Sequence, residues 1–121
     1  GSVVAGTCET WKVMMVGPPG EHPFHVHGTK FLVTEQDGQA VDIPTWRDTL
    51  AINHNATIKV CFDRVQPGDR ILVHCHMANH LDVGMGTTME VLAPPTDSSA
   101  GILVNLSKTL TAVACLLTLM M

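Results

Sequence analysis

Clusters of basic residues are missing from this 121-residue chain. Its seven Lys and Arg residues form no cluster larger than two, and eleven acidic residues bring the net charge to −4. A nucleic-acid-binding domain needs a basic patch or stripe to neutralise phosphates, so we expect no nucleic acid among the partners. The length allows one domain with a hydrophobic core and is too short for two.

Long helical patterns are also missing. Before residue 100 no window shows helical periodicity over more than about two turns. Six short apolar or alternating runs are instead separated by the turn signals GPPGE, QDGQ, NHNA and QPGDR, which is typical of β-strands. The predicted strands are residues 11–16, 30–35, 48–52, 57–63, 70–76 and 87–92. Short strands at this spacing predict an all-β fold, either a Greek-key sandwich or a barrel.

The two ends of the chain carry separate signals. The sequence begins GSVVAG, with neither an initiator Met nor a signal peptide, so we expect a processed N-terminus or a fragment. Residues 94–101 have linker composition, and residues 102–121 are a hydrophobic tail. Its last 13 residues are too few to span a bilayer, and a longer span would bury Asn105 and Lys108.

Small residues, a short spacer and an apolar end make this tail resemble a signal for glycolipid (GPI) anchoring. The tail therefore predicts membrane attachment, and a secreted or cell-surface protein. A bacterial-type periplasmic location is the alternative.

Six of the seven histidines lie in two short motifs, HPFHVHG at residues 22–28 and HCHMANHLDVGM at residues 74–85. Side chains alternate between faces along a strand. Cys75 therefore shares the face of the core residues before it, and the histidines on either side of it point the other way. The first motif has the same parity. Each motif thus offers ligands to two places, one inside the domain and one off its surface.

The inner ligands are two imidazoles, one thiolate and one thioether, from His22, Cys75, His80 and Met85. This is the trigonal ligand set of a blue copper centre with a weak axial Met. Zinc is the rival metal, but a thioether is a poor ligand for zinc. The outer ligands are all imidazoles, which suit copper, from His25, His27, His74 and His76. Because Cys75 is flanked by two outer ligands, an electron has a short covalent path between the sites.

The remaining candidates have simpler interpretations. His54 lies beside a turn and is expected to be an ordinary polar residue, whereas the methionines on apolar runs are expected in the core: Met14, Met15 and Met89. Cys8 and Cys61 are the natural pair for a disulfide if the protein is secreted, since Cys75 belongs to the ligands and Cys115 to the tail. Two separate thiols are the alternative.

The two histidine motifs resemble those of the multicopper oxidases. HPFHVHG is similar to the family's H-P-x-H-x-H-G motif, and HCHMANHLDVGM to its H-C-H-x3-H-x3-G-M motif. The resemblance implies a cupredoxin-like fold and copper as the cofactor. It implies that a reductant, either a small molecule or a metal ion, is oxidised at a blue (type 1) copper, and that O₂ is reduced to water at a trinuclear copper cluster. The implied type 1 ligands are His22, Cys75, His80 and Met85. The implied cluster ligands are His25 for the type 2 copper and His27, His74 and His76 for the type 3 pair.

The resemblance also implies that the site is incomplete. The family's cluster uses eight histidines from four motifs, and this chain supplies four histidines from two motifs. We therefore expect residues 1–93 to be the last cupredoxin domain of a larger oxidase, incomplete at its N-terminal strands. The other histidines would come from a missing N-terminal cupredoxin domain or a neighbouring subunit. Two alternatives stay open: a stand-alone blue-copper protein for electron transfer, and a copper-storage module without turnover.

Overall fold

A computed structural model describes residues 1–16 and 20–96, and the backbone of residues 109–111. The described residues form eleven strands and one short helix. In chain order these are β1 (Ser2–Val4), β2 (Cys8–Met14), β3 (His22–Val26), β4 (Phe31–Gln36), β5 (Gln39–Ala40), β6 (Trp46–Arg47), β7 (Thr49–Ile52), β8 (Asn55–Cys61), β9 (Arg70–Cys75), α1 (Ala78–Asp82), β10 (Gly86–Leu92) and β11 (Thr109–Thr111). All six predicted strands are present, with ends displaced by no more than three residues.

The strands form two sheets. The first has five strands in the order β1-β10-β9-β3-β7, and the second has the order β11-β2-β8-β4-β5, with β6 also paired to β4. Most neighbours are antiparallel, but β1 runs parallel to β10 and β11 runs parallel to β2. The first histidine motif begins on β3 and the second at the end of β9, and these two strands are adjacent in the first sheet.

One hydrophobic core joins the two sheets. It contains Val26 and Val73 from the first sheet and Phe31 and Ile58 from the second, all at most 4% exposed. Phe24 of β3 packs against Phe31 of β4 with ring centroids 5.9 Å apart. A β-sandwich is stabilised by burial of alternate side chains from its two facing sheets, and one face of β9 is therefore buried.

The turn between β4 and β5 shows how the sequence directs the chain. Asp37 and Gly38 both have positive φ, 51° and 78°. A two-residue hairpin turn with positive φ at both positions matches the twist of the flanking strands, and Asp-Gly is a preferred sequence for it. The signal QDGQ therefore predicts this hairpin correctly.

Most of the hydrophobic tail lies outside the described residues, and so does the predicted anchoring signal. The described part, β11, pairs with β2 so that Leu110 is opposite Trp11. Among the described residues, no helix is long and apolar enough to cross a membrane.

Candidate metal centre

The pairing of β3 with β9 brings the two histidine motifs together. Phe24 is opposite Cys75, and His25 is opposite His74. Opposite residues in an antiparallel pair point to the same face. The sequence parity is therefore confirmed: Cys75 lies on the core face beside Phe24, and His25 and His74 share the other face.

The inner group consists of His22, Cys75 and His80. The ligand atoms of these three residues all lie within 4.8 Å of one another. The Cys75 Sγ is 3.5 Å from His80 Nδ1 and 3.9 Å from His22 Nδ1. Metal bonds of about 2.3 Å to sulfur and about 2.0 Å to nitrogen, meeting at about 120°, would separate the donors by about 3.7 Å. The donors thus fit a trigonal His₂Cys metal site.

The short helix α1 delivers His80 to this group. The chain leaves β9 after Cys75, forms one turn at Ala78–Asp82 and returns to the sheet at β10. The backbone N–H of Met85 donates to the His80 carbonyl, and the N–H of Cys75 donates to the Met85 carbonyl, both at 2.9 Å. Met85 also lines a cavity of about 50 Å³ with His22 and Cys75. The loop therefore keeps Met85 beside the inner group.

The ring of His22 is suited to metal binding. Its burial, with a smaller contribution from the neighbouring His80, lowers the pKa of His22 from its usual value of 6.5. A lowered pKa keeps the imidazole neutral at physiological pH, and only a neutral imidazole binds a metal.

The outer group lies on the opposite face of β3 and β9. The ligand atoms of His25, His27 and His74 lie within 4.8 Å of one another, and His27 Nε2 is 3.0 Å from His74 Nε2. His76 stands beside them, with its ring centroid 5.2 Å from that of His25 and 5.5 Å from that of His74. All four outer histidines predicted from the sequence are therefore neighbours.

Two outer rings have a defined hydrogen-bond partner on the side away from this group. The Nδ1–H of His74 donates to the Cys75 carbonyl at 2.7 Å, and the Nδ1–H of His25 donates to the Asp48 carbonyl at 2.7 Å. A neutral imidazole with Nδ1 protonated has its lone pair on Nε2. Metal-binding histidines typically have this arrangement, in which a carbonyl or carboxylate fixes the tautomer of the ring.

The electrostatics of the outer group favour a neutral His27 ring. Partial desolvation, followed by repulsion from His25, His74 and His76, lowers the pKa of His27 from 6.5. His74 is buried at 9% exposure, although it is on the outward face. The three neighbouring rings are close to it. His74 is therefore more buried than its outward direction on the strand suggested.

One of the three predictions about methionines was wrong. Met14 was expected in the core but is 42% exposed, because strand alternation puts it on the opposite face of β2 from the buried Trp11 and Val13. Met89 is buried and Met15 packs against the core, as expected. Helix α1 was not predicted, since its five residues are too few to show helical periodicity. His54 belongs to neither group.

The predicted disulfide is confirmed. Cys8 and Cys61 are opposite each other on β2 and β8, and they are bonded. Cys75 is the one free cysteine among the described residues. Cys115 lies outside the described residues.

Comparison with known proteins agrees with the geometry. The family profile for multicopper oxidases matches residues 3–95. Laccase-2 of Pleurotus ostreatus is 34% identical over 104 residues, covering 72% of this chain and 19% of that protein. A multicopper oxidase of Staphylococcus aureus is 33% identical over 84 residues, covering 64% of this chain and 18% of that protein.

A solved structure supports the same relationship. The laccase-like multicopper oxidase CueO from the lignin-degrading bacterium Ochrobactrum sp. superposes with a TM-score of 0.64 and 35% sequence identity, covering 74% of this chain and 21% of that chain. The two-sheet fold is therefore cupredoxin-like, as expected. The chain spans about a fifth of the length of these relatives. With both motifs, the fold and the family profile in agreement, the chain belongs to the multicopper oxidase family, whose cofactor is copper in a type 1 site and a trinuclear cluster.

Proposed function

We propose that this chain is the part of a laccase-like oxidase that holds the type 1 copper and half of the trinuclear cluster. The type 1 copper would be held by His22, Cys75 and His80, with Met85 as a weaker fourth ligand. The cluster ligands would be His25 for the type 2 copper and His27, His74 and His76 for the type 3 pair. The observation that carries this proposal is the arrangement of two donor groups on opposite faces of β9, joined at Cys75.

Copper held by the inner group would supply one-electron oxidation of a reducing substrate, and copper in the completed trinuclear cluster would supply four-electron reduction of O₂ to water. The residues determine where electrons enter and leave. The rings of His22 and His80 are half-buried, whereas Cys75 is buried. We therefore propose that a reductant donates its electron through His22 or His80, which are more exposed than Cys75.

Cys75 connects the inner group to the outer group in two ways. Its backbone continues directly into His74 and His76, which are outer donors. Its carbonyl also accepts the 2.7 Å hydrogen bond from His74 Nδ1, which shortens the path from the Cys75 backbone to the His74 ring. A simple electron-transfer cupredoxin has no use for such a connection, so this feature favours the oxidase over the stand-alone alternative.

The other half of the cluster would come from outside the described residues. Four imidazoles cannot give three coppers even two protein ligands each. The chain also spans only about a fifth of its relatives' length. We propose that another cupredoxin domain, or a neighbouring subunit related by symmetry, supplies the remaining imidazoles. The surface around His25, His27 and His76 would then be the interface with that partner.

We further propose that the protein is secreted or exposed at the cell surface. The support is the disulfide between Cys8 and Cys61, because disulfides form and persist mainly in oxidising compartments. Attachment through the C-terminal tail stays a prediction from the sequence. The test is to examine mature protein from its native source. An intact tail without attached lipid would reject the prediction.

The proposed sites can be tested separately by titrating the metal-free chain with Cu²⁺ under optical and EPR spectroscopy. Binding at the inner group should give an intense blue colour from the Cys75 thiolate. Cys75→Ser should abolish the colour completely, because no other free thiol is among the described residues. His27→Ala should keep the blue colour and lose only the weakly coloured copper. His54→Ala is the matched control and should change neither signal. A Cys75→Ser variant that stays blue would overturn the assignment.

A further inference from the structure

The outer ligand His25 is held at a corner where β3 meets the edge strand β7. His25 is directly opposite Thr49 in the antiparallel register. Its Nδ1 lies 2.7 Å from the backbone carbonyl oxygen of Asp48 and 2.9 Å from the Thr49 hydroxyl oxygen. One ring nitrogen therefore faces two oxygen atoms at hydrogen-bond distance.

The direction of these hydrogen bonds follows from the donors available. The Asp48 carbonyl has no hydrogen, so a contact of 2.7 Å with Nδ1 requires that Nδ1 carry the proton. The single N–H is then shared, and the Thr49 oxygen can only accept from it. The Thr49 hydroxyl keeps its own proton, which it donates to the Asp48 carboxylate at 3.1 Å. Each of the three contacts thus has one donor and one acceptor.

We propose that the Thr49 hydroxyl, oriented by the Asp48 carboxylate, is a positioning group that fixes the tautomer and the ring plane of His25. With Nδ1 protonated, the lone pair of the neutral ring is on Nε2. His25 forms a group with His27 and His74 whose ligand atoms lie within 4.8 Å of one another, and a protonated Nδ1 leaves Nε2 as the only donor atom of His25. Thr49 acts through His25 and has no contact with the metal itself.

Comparison with His74 shows why the Thr49 side chain is needed to hold the His25 ring. The His74 ring is fixed by a backbone carbonyl alone, and it is buried among its neighbours. His25 is only half-buried, and the Asp48 carbonyl that holds it also accepts the Val26 N–H at 3.2 Å. A carbonyl shared between two donors at the edge of a sheet holds the ring less firmly. The Thr49 hydroxyl supplies the second acceptor, and Thr49→Val would remove it without changing the shape of the side chain.

This inference depends on the proposed function only for the identity of the metal. The test is therefore NMR of the histidine ring nitrogens in the full 121-residue chain without metal, at about pH 8, where ordinary histidines are neutral. Wild-type His25 should be the Nδ1–H tautomer. Thr49→Val should add a detectable Nε2–H population, whereas Thr49→Ser should restore the wild-type spectrum. Thr34→Val is the matched control. Thr34 is an exposed threonine of the second sheet, whereas His25 is in the first, and the Thr34 hydroxyl donates to the Thr57 carbonyl.

A titration of the same proteins with Zn²⁺, read from the His25 ring signals, measures the consequence for binding. Thr49→Val should raise the dissociation constant about tenfold, the lower end of the usual effect of removing a hydrogen-bond partner from a metal-binding histidine. Thr49→Ser and Thr34→Val should bind as the wild type does. A wild-type His25 protonated on Nε2 would overturn the inference, and so would a Thr49→Val variant with unchanged tautomer and affinity. Equal weakening in Thr49→Val and Thr49→Ser would also overturn it. All these outcomes are independent of oxidase activity, so failure here leaves the proposed function standing.

Discussion

Cys75 lies between two histidines in the chain, and β9 turns its side chain to the opposite face from theirs. The buried sulfur of Cys75 has two imidazole nitrogens within 3.9 Å. Met85 is the fourth residue of this environment, held beside Cys75 by a backbone hydrogen bond. Cys75 thus determines where the inner group forms, and the neighbouring imidazoles and Met85 determine its metal-binding properties.

Met85→Leu should keep the blue colour and raise the reduction potential. Leucine has about the volume of methionine but no donor atom, so a weak ligand that favours Cu(II) is lost while the trigonal set remains. Redox titration followed at the blue absorption band measures the change. Met89→Leu is the matched control, since Met89 is buried in the core away from the inner group. An unchanged potential in Met85→Leu would deny Met85 its axial role.

The lowered pKa values of His22 and His27 predict a dependence of stability on pH in the metal-free chain. Below the usual histidine pKa of 6.5, the unfolded chain takes up protons on these rings before the folded chain does. The free energy of unfolding should therefore fall as the pH is lowered from 6.5 towards the lower folded-state values. Urea unfolding at a series of pH values measures this. His22→Gln should flatten the dependence and His54→Gln should not; equal slopes in His22→Gln and wild type would contradict the prediction.

At the scale of the elements, the disulfide joins β2 to β8 in the second sheet and closes a sequence separation of 53 residues. A cross-link of this kind restricts the unfolded chain, and removing one typically costs about 2–4 kcal/mol. The double variant Cys8→Ala/Cys61→Ala should lose about that much free energy of unfolding, measured by urea denaturation without reductant. Adding reductant should destabilise the wild type and leave the double variant unchanged. Two alkylatable thiols at these positions in non-reduced native protein would show that the bridge is absent.

The sequence predicted the elements better than it predicted their contacts. Alternation along a strand is a local property, so the faces of Cys75 and His25 could be derived from residue parity alone. The register that sets Phe24 opposite Cys75 could not, because it depends on the pairing of two segments about 50 residues apart. Helix α1 was missed because five residues are too few to show helical periodicity. The exposure of Met14 was predictable, since alternation along β2 puts Met14 on the opposite face from the buried Val13.

Over the whole molecule, the two donor groups differ in how complete they are. The inner group has its thiolate, both imidazoles and an axial candidate within one chain. The outer group has four imidazoles, of which His27 and His76 are exposed. If the remaining ligands come from another domain or subunit, as proposed, the outer site of this chain alone lacks the fixed geometry that tunes a metal for oxygen chemistry. The described chain should therefore hold about one copper tightly, and bind further copper loosely.

The most direct measurement is oxygen consumption by the copper-loaded, strictly monomeric chain, with a phenol or an aromatic amine as electron donor. The proposed half-cluster predicts reduction of the blue copper by the donor without sustained consumption of O₂. Turnover should appear only when another domain or subunit supplies the missing imidazoles. Continuous O₂ consumption by the monomer, abolished by His76→Ala and retained in His54→Ala, would contradict the account.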